Sequence, residues 1–186
     1  MSAAAAVVMA GPRVALTEVR PADLPRMLEW INDRALVELS APFKPVSPEA
    51  HRRWFESVQG RDDLALFAIR EVPAGRLIGS CQLRRIDPRH HSAELTIRIG
   101  EADCRGRGLG TEAVRLLVAH GFAALDLNRI CLHVFADNQR AVRAYEKAGF
   151  VREGLMRQHS RIGGAYKDAV LMALLREDFR PEETES

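Results

Sequence analysis

Apolar and polar residues recur along this chain with two different periods, and the changes between them mark out its elements. Residues 14–19 alternate with period two and read as a strand. Pro21-Ala22-Asp23 then opens a helical pattern carried by Leu24, Met27, Leu28 and Ile31. Ser47-Pro48-Glu49 joins a capping hydroxyl to a first-turn proline and starts a second helix, with Trp54, Phe55 and Val58 on its apolar side. Residues 64–71 and 77–85 flank the turn Pro73-Ala74-Gly75 and read as a hairpin.

Residues 92–99 place Ala93, Leu95, Ile97 and Ile99 on one face and Glu94, Thr96 and Arg98 on the other. A glycine-rich stretch leads into an amphipathic helix over 109–125, built on Leu109, Ala113, Leu116, Leu117 and His120. The next strand, 129–135, is apolar at Ile130, Leu132 and Val134. Asp137-Asn138 caps a helix that runs to Ala148 and stops at Gly149. Residues 155–161 and 165–174, parted by Gly163-Gly164, form a closing hairpin. Antiparallel hairpins combined with one strand–helix–strand crossover predict an α/β fold with a mixed, mostly antiparallel central sheet.

No internal repeat or linker divides the 186 residues, so 13–179 reads as a single domain. Residues 1–12, apolar but without a basic start, read as a disordered leader, and 180–186 as a frayed polar tail. A formal net charge of +2 argues against a protein whose main partner is nucleic acid. No stretch approaches the roughly 20 apolar residues that cross a membrane, so a soluble protein is expected. The three cysteines, Cys81, Cys104 and Cys131, cannot all pair with one another and form no metal-binding doublet. No metal is called for, and a reducing cytoplasm is the expected compartment.

The densest chemical signal is Cys104-Arg105-Gly106-Arg107-Gly108-Leu109-Gly110-Thr111, lying between a strand and a long helix. Glycines let the backbone turn tightly and bring its N–H groups close to a ligand. The first N–H groups of a helix are unpaired and sit at the positive end of its dipole, so such a turn is an anion cradle. The spacing fits neither a dinucleotide-binding turn nor a P-loop, which needs a lysine that this stretch lacks. A plain connection with solvated arginines is the alternative reading.

Two blocks carry a resemblance. Arg105-Gly106-Arg107-Gly108-Leu109-Gly110 resembles the pyrophosphate-binding motif of the GNAT superfamily of N-acetyltransferases. Asn138-Gln139-Arg140-Ala141-Val142-Arg143-Ala144-Tyr145-Glu146-Lys147-Ala148-Gly149-Phe150 is similar to that family's second signature, Asn-x-x-Ala-x-x-x-Tyr-x-x-x-Gly-Phe. His91-Ser92-Ala93-Glu94 and the ending Gly163-Gly164-Ala165-Tyr166-Lys167-Asp168 point within it to the RimJ/RimL-like and spermidine acetyltransferase branch. The resemblance covers 14–179. It implies acetyl-CoA as the acetyl donor and a V-shaped splay between strands 94–99 and 129–135. Pantetheine would pair with backbone near Ile97 and Ile99, and the pyrophosphate would lie on Arg105, Gly106, Arg107, Gly108, Leu109, Gly110 and Thr111. Asn138 and Tyr145 would face the thioester.

Acetyl transfer needs a neutral amine. An amine with a lysine-like pKa is only about 0.04% neutral at pH 7, a handicap of roughly 4.6 kcal/mol. Removing its proton is work for a carboxylate or histidine, directly or through water. Glu94, opposite Leu95 and Ile97 in the alternation, is the first candidate as base or substrate anchor; a solvated strand glutamate is the other reading. Tyr145 is expected to stabilise the departing sulfur by a hydrogen bond, the alternative being a packed core tyrosine. Asn138 either contacts the cofactor or caps its helix. His133 shares a strand face with Cys131 and Phe135 and is either a packed imidazole, the preferred reading, or a second base; Cys131 is not a nucleophile because direct transfer needs none. The resembling enzymes shape the acceptor pocket with the region holding Trp30, Trp54 and Phe55, though at helical spacing these residues read first as core. The acceptor is expected to be a small-molecule primary amine (amino sugar, aminoglycoside or polyamine). A protein N-terminus is the alternative, and a non-catalytic CoA-binding module is the rival from another class. Dimers are common among such proteins, so a homodimer stays open.

Overall fold

The computed structural model describes residues 6–180. The strands are β1 (Val7–Ala10), β2 (Val14–Glu18), β3 (Leu64–Glu71), β4 (Arg76–Asp87), β5 (Ser92–Ile99), β6 (Arg129–Phe135), β7 (Val151–Ile162) and β8 (Ala165–Leu175). The helices are α1 (Leu24–Asn32), α2 (Arg34–Val37), α3 (Pro48–Val58), α4 (Leu109–Ala123) and α5 (Gln139–Lys147). Among the described residues the eight strands form one sheet in the order β1-β2-β3-β4-β5-β6-β8-β7. Every neighbouring pair is antiparallel except β5–β6. The expected α/β fold with a mixed, mostly antiparallel sheet is present.

The sheet faces follow from alternation. Leu16, Ile69, Leu83, Leu95, Ile130 and Leu132 point to one side, where α4 buries Ala113, Leu117 and Val118 against them. On the other side Met27, Trp30 and Leu36 form a smaller cluster under α1 and α2. Two polar anchors hold these helices. Asp23, just before α1, accepts two hydrogen bonds from Arg70 Nη2 at 2.7 and 2.8 Å. Glu101 accepts from Trp30 Nε1 at 3.1 Å, Arg26 Nε at 2.7 Å and Arg76 Nη2 at 2.9 Å. Gly100 is required beside them, because a Cβ there would lie 2.1 Å from the Trp30 ring.

The two strands that frame the site part company early. β5 and β6 pair only at Ser92–Arg129, Ala93–Ile130 and Glu94–Cys131. Beyond Glu94, β5 stays with β4 as far as Ile99, and β6 stays with β8 as far as Phe135. Each strand follows its own antiparallel partner, the sheet twist carries them apart, and a V opens.

The structure corrects several boundaries. Residues 7–10, expected within a disordered leader, form β1 and pair antiparallel with β2. Backbone pairing and the packing of Met9 on the core hold this strand, so it needs no amphipathic pattern of its own. Residues 1–5 of the expected leader and 181–186 of the expected tail lie outside the described residues. β7 starts at Val151 rather than 155, since pairing with β8 sustains four exposed residues that alternation does not mark. α4 ends at Ala123 rather than 125, and β4 runs from Arg76 to Asp87 instead of 77–85.

Candidate active site

The turn before α4 is shaped by two left-handed glycines, Gly106 with φ 76° and Gly108 with φ 81°. Gly108 is the N-cap of α4, and no side chain caps that end. The first N–H groups of the helix are therefore left to an outside acceptor. Glu112, the acid of the first turn, is committed elsewhere: it accepts from the N–H groups of Arg13 at 2.8 Å and Val14 at 3.0 Å, and from Arg13 Nε at 2.8 Å. Arg105 fastens the turn to the sheet, donating from Nε to the carbonyl of Ile99 (3.1 Å) and from Nη2 to that of Gly100 (2.6 Å). The acid is thus spent on β2, and the cradle itself carries no negative charge.

A cleft of about 320 Å³ runs from this turn into the V. Ile97 and Ile99 of β5, Val134 and Phe135 of β6, and Ala144 and Tyr145 of α5 wall it. Gly106, Gly108, Gly110 and Thr111 close its far end. Along the V, β5 backbone groups beyond Glu94 have no partner on β6. They can take an extended chain with its own amide groups, as a further strand would be taken.

Tyr145 is 9% exposed, and its ring meets Phe150 edge-to-face at 5.9 Å. Its hydroxyl makes no hydrogen bond with the described residues, yet it is not sealed from the cleft. Burial pushes its pKa up to about 12, so the phenol stays protonated and offers a donor. Asn138 caps α5 by accepting from the N–H of Ala141 at 3.2 Å, and donates from Nδ2 to the carbonyl of Leu39 at 3.3 Å. Both ends of its amide are engaged, leaving one amide hydrogen for a ligand.

Glu94 occupies the last paired position of the V and is 6% exposed. Arg84 donates to it closely, Arg85 Nη1 lies at 3.3 Å, and His133 Nδ1 at 3.5 Å. Burial works to raise its pKa, but the Arg84 hydrogen bond and the charges around it outweigh that and hold the carboxyl below its usual range. A carboxylate so placed is ionised and weakly basic. It stands behind the cleft wall, and His133 stands at the wall itself. His133 is partly exposed and stacks on His159 at 5.5 Å, instead of being packed away as the alternation implied.

Most of the residues singled out in the sequence converge on this cleft: Ile97, Ile99, Arg105, Gly106, Gly108, Gly110, Thr111, Asn138 and Tyr145 all line it. Arg107 turns away to Glu71, 3.0 Å from its carboxylate, and the Leu109 side chain packs into the core. What these two bring to the cradle is backbone N–H. Alternation also missed Leu36, Leu39 and Ser40, which line the cleft from α2 and the turn after it. The available signal was Asp33, whose carboxylate accepts from the N–H of Leu36 at 3.1 Å and caps that one-turn helix. Among the described residues there is no cluster of metal-ligating side chains, and no helix is long and apolar enough to cross a membrane.

A splayed parallel strand pair over an uncapped, glycine-built helix start is the arrangement of an N-acetyltransferase fold. The structure of Vibrio cholerae spermidine N-acetyltransferase, solved in complex with CoA and spermine, matches it with a TM-score of 0.83 at 26% identity, over 90% of this chain and 98% of that one. The acetyltransferase (GNAT) domain matches residues 13–151, and the chain belongs to the GNAT acetyltransferase family. Among relatives, the spermidine N(1)-acetyltransferase of Vibrio cholerae is 35% identical over 103 residues, which is 55% of this chain and 59% of that protein. The putative ribosomal N-acetyltransferase YdaF of Bacillus subtilis is 30% identical over 108 residues, 58% of each chain. This chain thus matches less than two thirds of the length of either relative.

Proposed function

We propose that this protein moves the acetyl group of acetyl-CoA by direct transfer to the primary amine of a small-molecule acceptor. The observation that carries the reading is one continuous surface. An uncapped helix start with two left-handed glycines leads along an unpaired strand edge to a tyrosine hydroxyl with no hydrogen-bond partner among the described residues. The N–H groups of 108–111, with the positive charge of Arg105 behind them, suit a diphosphate. The β5 backbone groups near Ile97 and Ile99 that face away from β4 suit the amides of pantetheine, apart from the Ile99 carbonyl that Arg105 already holds. Among nearby side chains, Tyr145 and His133 remain for the chemistry.

The amine nitrogen forms a bond to the thioester carbonyl carbon as the carbon–sulfur bond breaks. His133 takes the proton that the nitrogen must shed, and Glu94 holds the imidazole from behind. Tyr145 donates a hydrogen bond to the sulfur as negative charge collects there. The acceptor classes carried forward are amino sugars, aminoglycosides and polyamines; the activity named for the Vibrio cholerae relative favours the last. The name of the Bacillus subtilis relative supports a second reading, in which the acceptor is a protein N-terminus. All three cysteines are free, which suits a reducing compartment such as the cytoplasm.

The test is a melting curve with and without acetyl-CoA, run beside an assay of thiol release over a panel of amines. A rise in melting temperature and amine-dependent thiol release are expected. A cofactor-induced rise with no release on any amine would leave a CoA-binding module, and no rise would remove the cofactor itself.

A further inference from the structure

The sheet face beneath α1–α3 carries side chains that the transfer chemistry does not use. Cross-strand pairing sets Ser80 beside Arg98 and Gln82 beside Thr96, all on the face opposite the buried Cys81, Leu83 and Leu95. All four are half-buried. None of their side chains makes a hydrogen bond or ion pair with the described residues. Arg98 opens into the cleft, and burial lowers its pKa with no charged neighbour acting on it. An arginine cannot shed its charge in a protein, so a half-buried guanidinium without a partner among the described residues is a ready site for an anion brought from outside.

Among the described residues, most carboxylates near the cleft are already paired with cations, and Asp33 is engaged in capping α2. Glu94 is held by Arg84 and Arg85, Glu101 by Arg26 and Arg76, Glu38 by Arg34, and Asp137 by Lys167. Among the described residues, no Asp or Glu lines the cleft. A polyamine with several ammonium groups would meet Arg98 and no free counter-charge.

We infer that Arg98 selects the acceptor, and that this acceptor carries an anionic group, carboxylate or phosphate, within a few bonds of its primary amine. The inference rests on the acetyltransferase reading above and narrows it away from polyamines. Thr96 lies between Glu94 and Arg98 on the same face, about 7 Å along the strand from each. An amine delivered beside Thr96, near the point where the V opens, puts an attached anion within reach of the Arg98 fork. Ser80, Gln82 and Thr96 then offer hydrogen bonds to hydroxyl groups, as a phosphorylated amino sugar would present.

The experiment measures thiol release from acetyl-CoA with matched acceptors: glucosamine and glucosamine 6-phosphate, ethanolamine and phosphoethanolamine, 3-aminopropanol and β-alanine, and spermidine alone. The anionic member of at least one pair is expected to exceed its neutral partner in kcat/KM by roughly 10- to 100-fold, the range of a charge-assisted hydrogen bond. The phosphate and carboxylate pairs tell the two anions apart. Arg98→Gln should collapse that ratio toward one through the acceptor's KM, with the KM for acetyl-CoA and the melting temperature holding, and Arg98→Lys should restore part of it. A preference for spermidine or for the neutral members overturns the inference, as does an Arg98→Gln loss that falls on acetyl-CoA instead. If acetyl-CoA raises the melting temperature while every anionic amine is inert, this inference alone falls; if the temperature does not rise, the acetyltransferase reading falls with it.

Discussion

Changing Tyr145 to Phe removes one hydroxyl and leaves the ring where it is. That ring belongs to the main core cluster and packs edge-to-face on Phe150 at an interplanar angle of 62°. Its hydroxyl bonds to no described residue, so the free protein should keep its stability to within about 0.5 kcal/mol. The loss belongs to the transition state. With its pKa pushed up to about 12, the phenol would have to climb about 5 kcal/mol to give its proton outright to a thiolate of pKa near 8.5. Donating a hydrogen bond to that thiolate contributes about 1.5–3 kcal/mol. Converted to rate, kcat for Tyr145→Phe should fall by roughly 10- to 150-fold. Thiol release at saturating acetyl-CoA, followed from pH 6 to 9, measures it, with a melting curve alongside. The fall should be even across that range, because the hydroxyl does not ionise within it. A kcat within twofold of the unmodified protein would refute the reasoning, as would a melting temperature lower by more than about 4 °C, which would mean that the hydroxyl holds the fold. An alkaline limb below pH 9 that vanished in the variant would instead establish full proton transfer.

Two other expectations concern the cradle and the carboxylates. Gly108→Ala forces φ 81° on a residue with a Cβ, at a cost of about 1–2 kcal/mol. The added atom would lie 3.2 Å from Nη2 of Arg13, whose guanidinium is already held by Glu112 and the Arg107 carbonyl, so the strain falls on the turn: the melting temperature should drop by about 2–8 °C and acetyl-CoA should restore less of it, whereas a variant stabilised by acetyl-CoA as strongly as the parent would show that the turn does not grip the donor. Glu94 and Glu101 both have folded pKa values held below the usual range, so their contribution to stability is complete above about pH 4.5 and drains away as pH falls through the folded values. Urea midpoints at pH 7, 4 and 3 should decline in that order, and a flat series would mean these pairs contribute nothing.

Much of the site was legible because its parts are local. A helix that starts on Gly108 without a capping side chain, and a turn that needs left-handed φ at Gly106 and Gly108, are properties of a few adjacent residues. The same holds for Ser47 capping α3 and Asn138 capping α5. β3, β5 and β6 begin and end where alternation puts them, because each has one face on the core and so writes its burial into its sequence. β1 and the first residues of β7 are exposed and held by backbone pairing, which leaves no such trace.

Periodicity and glycine placement alone determine that this chain folds as strands around a crossover helix with an uncapped, glycine-built start, since both act over a few residues. Who faces whom is decided only when the sheet assembles. The opening of the V depends on β5 following β4 and β6 following β8. The fate of Glu94 depends on Arg84 lying across the ladder and on His133, one strand further, standing between it and the cleft. Arg98 has the same alternation as Glu94, four residues earlier, yet Glu94 is paired with arginines and Arg98 has no partner among the described residues. Charge neutralisation is a matter of distance in space, and distances across a sheet are set by register between strands far apart in the chain.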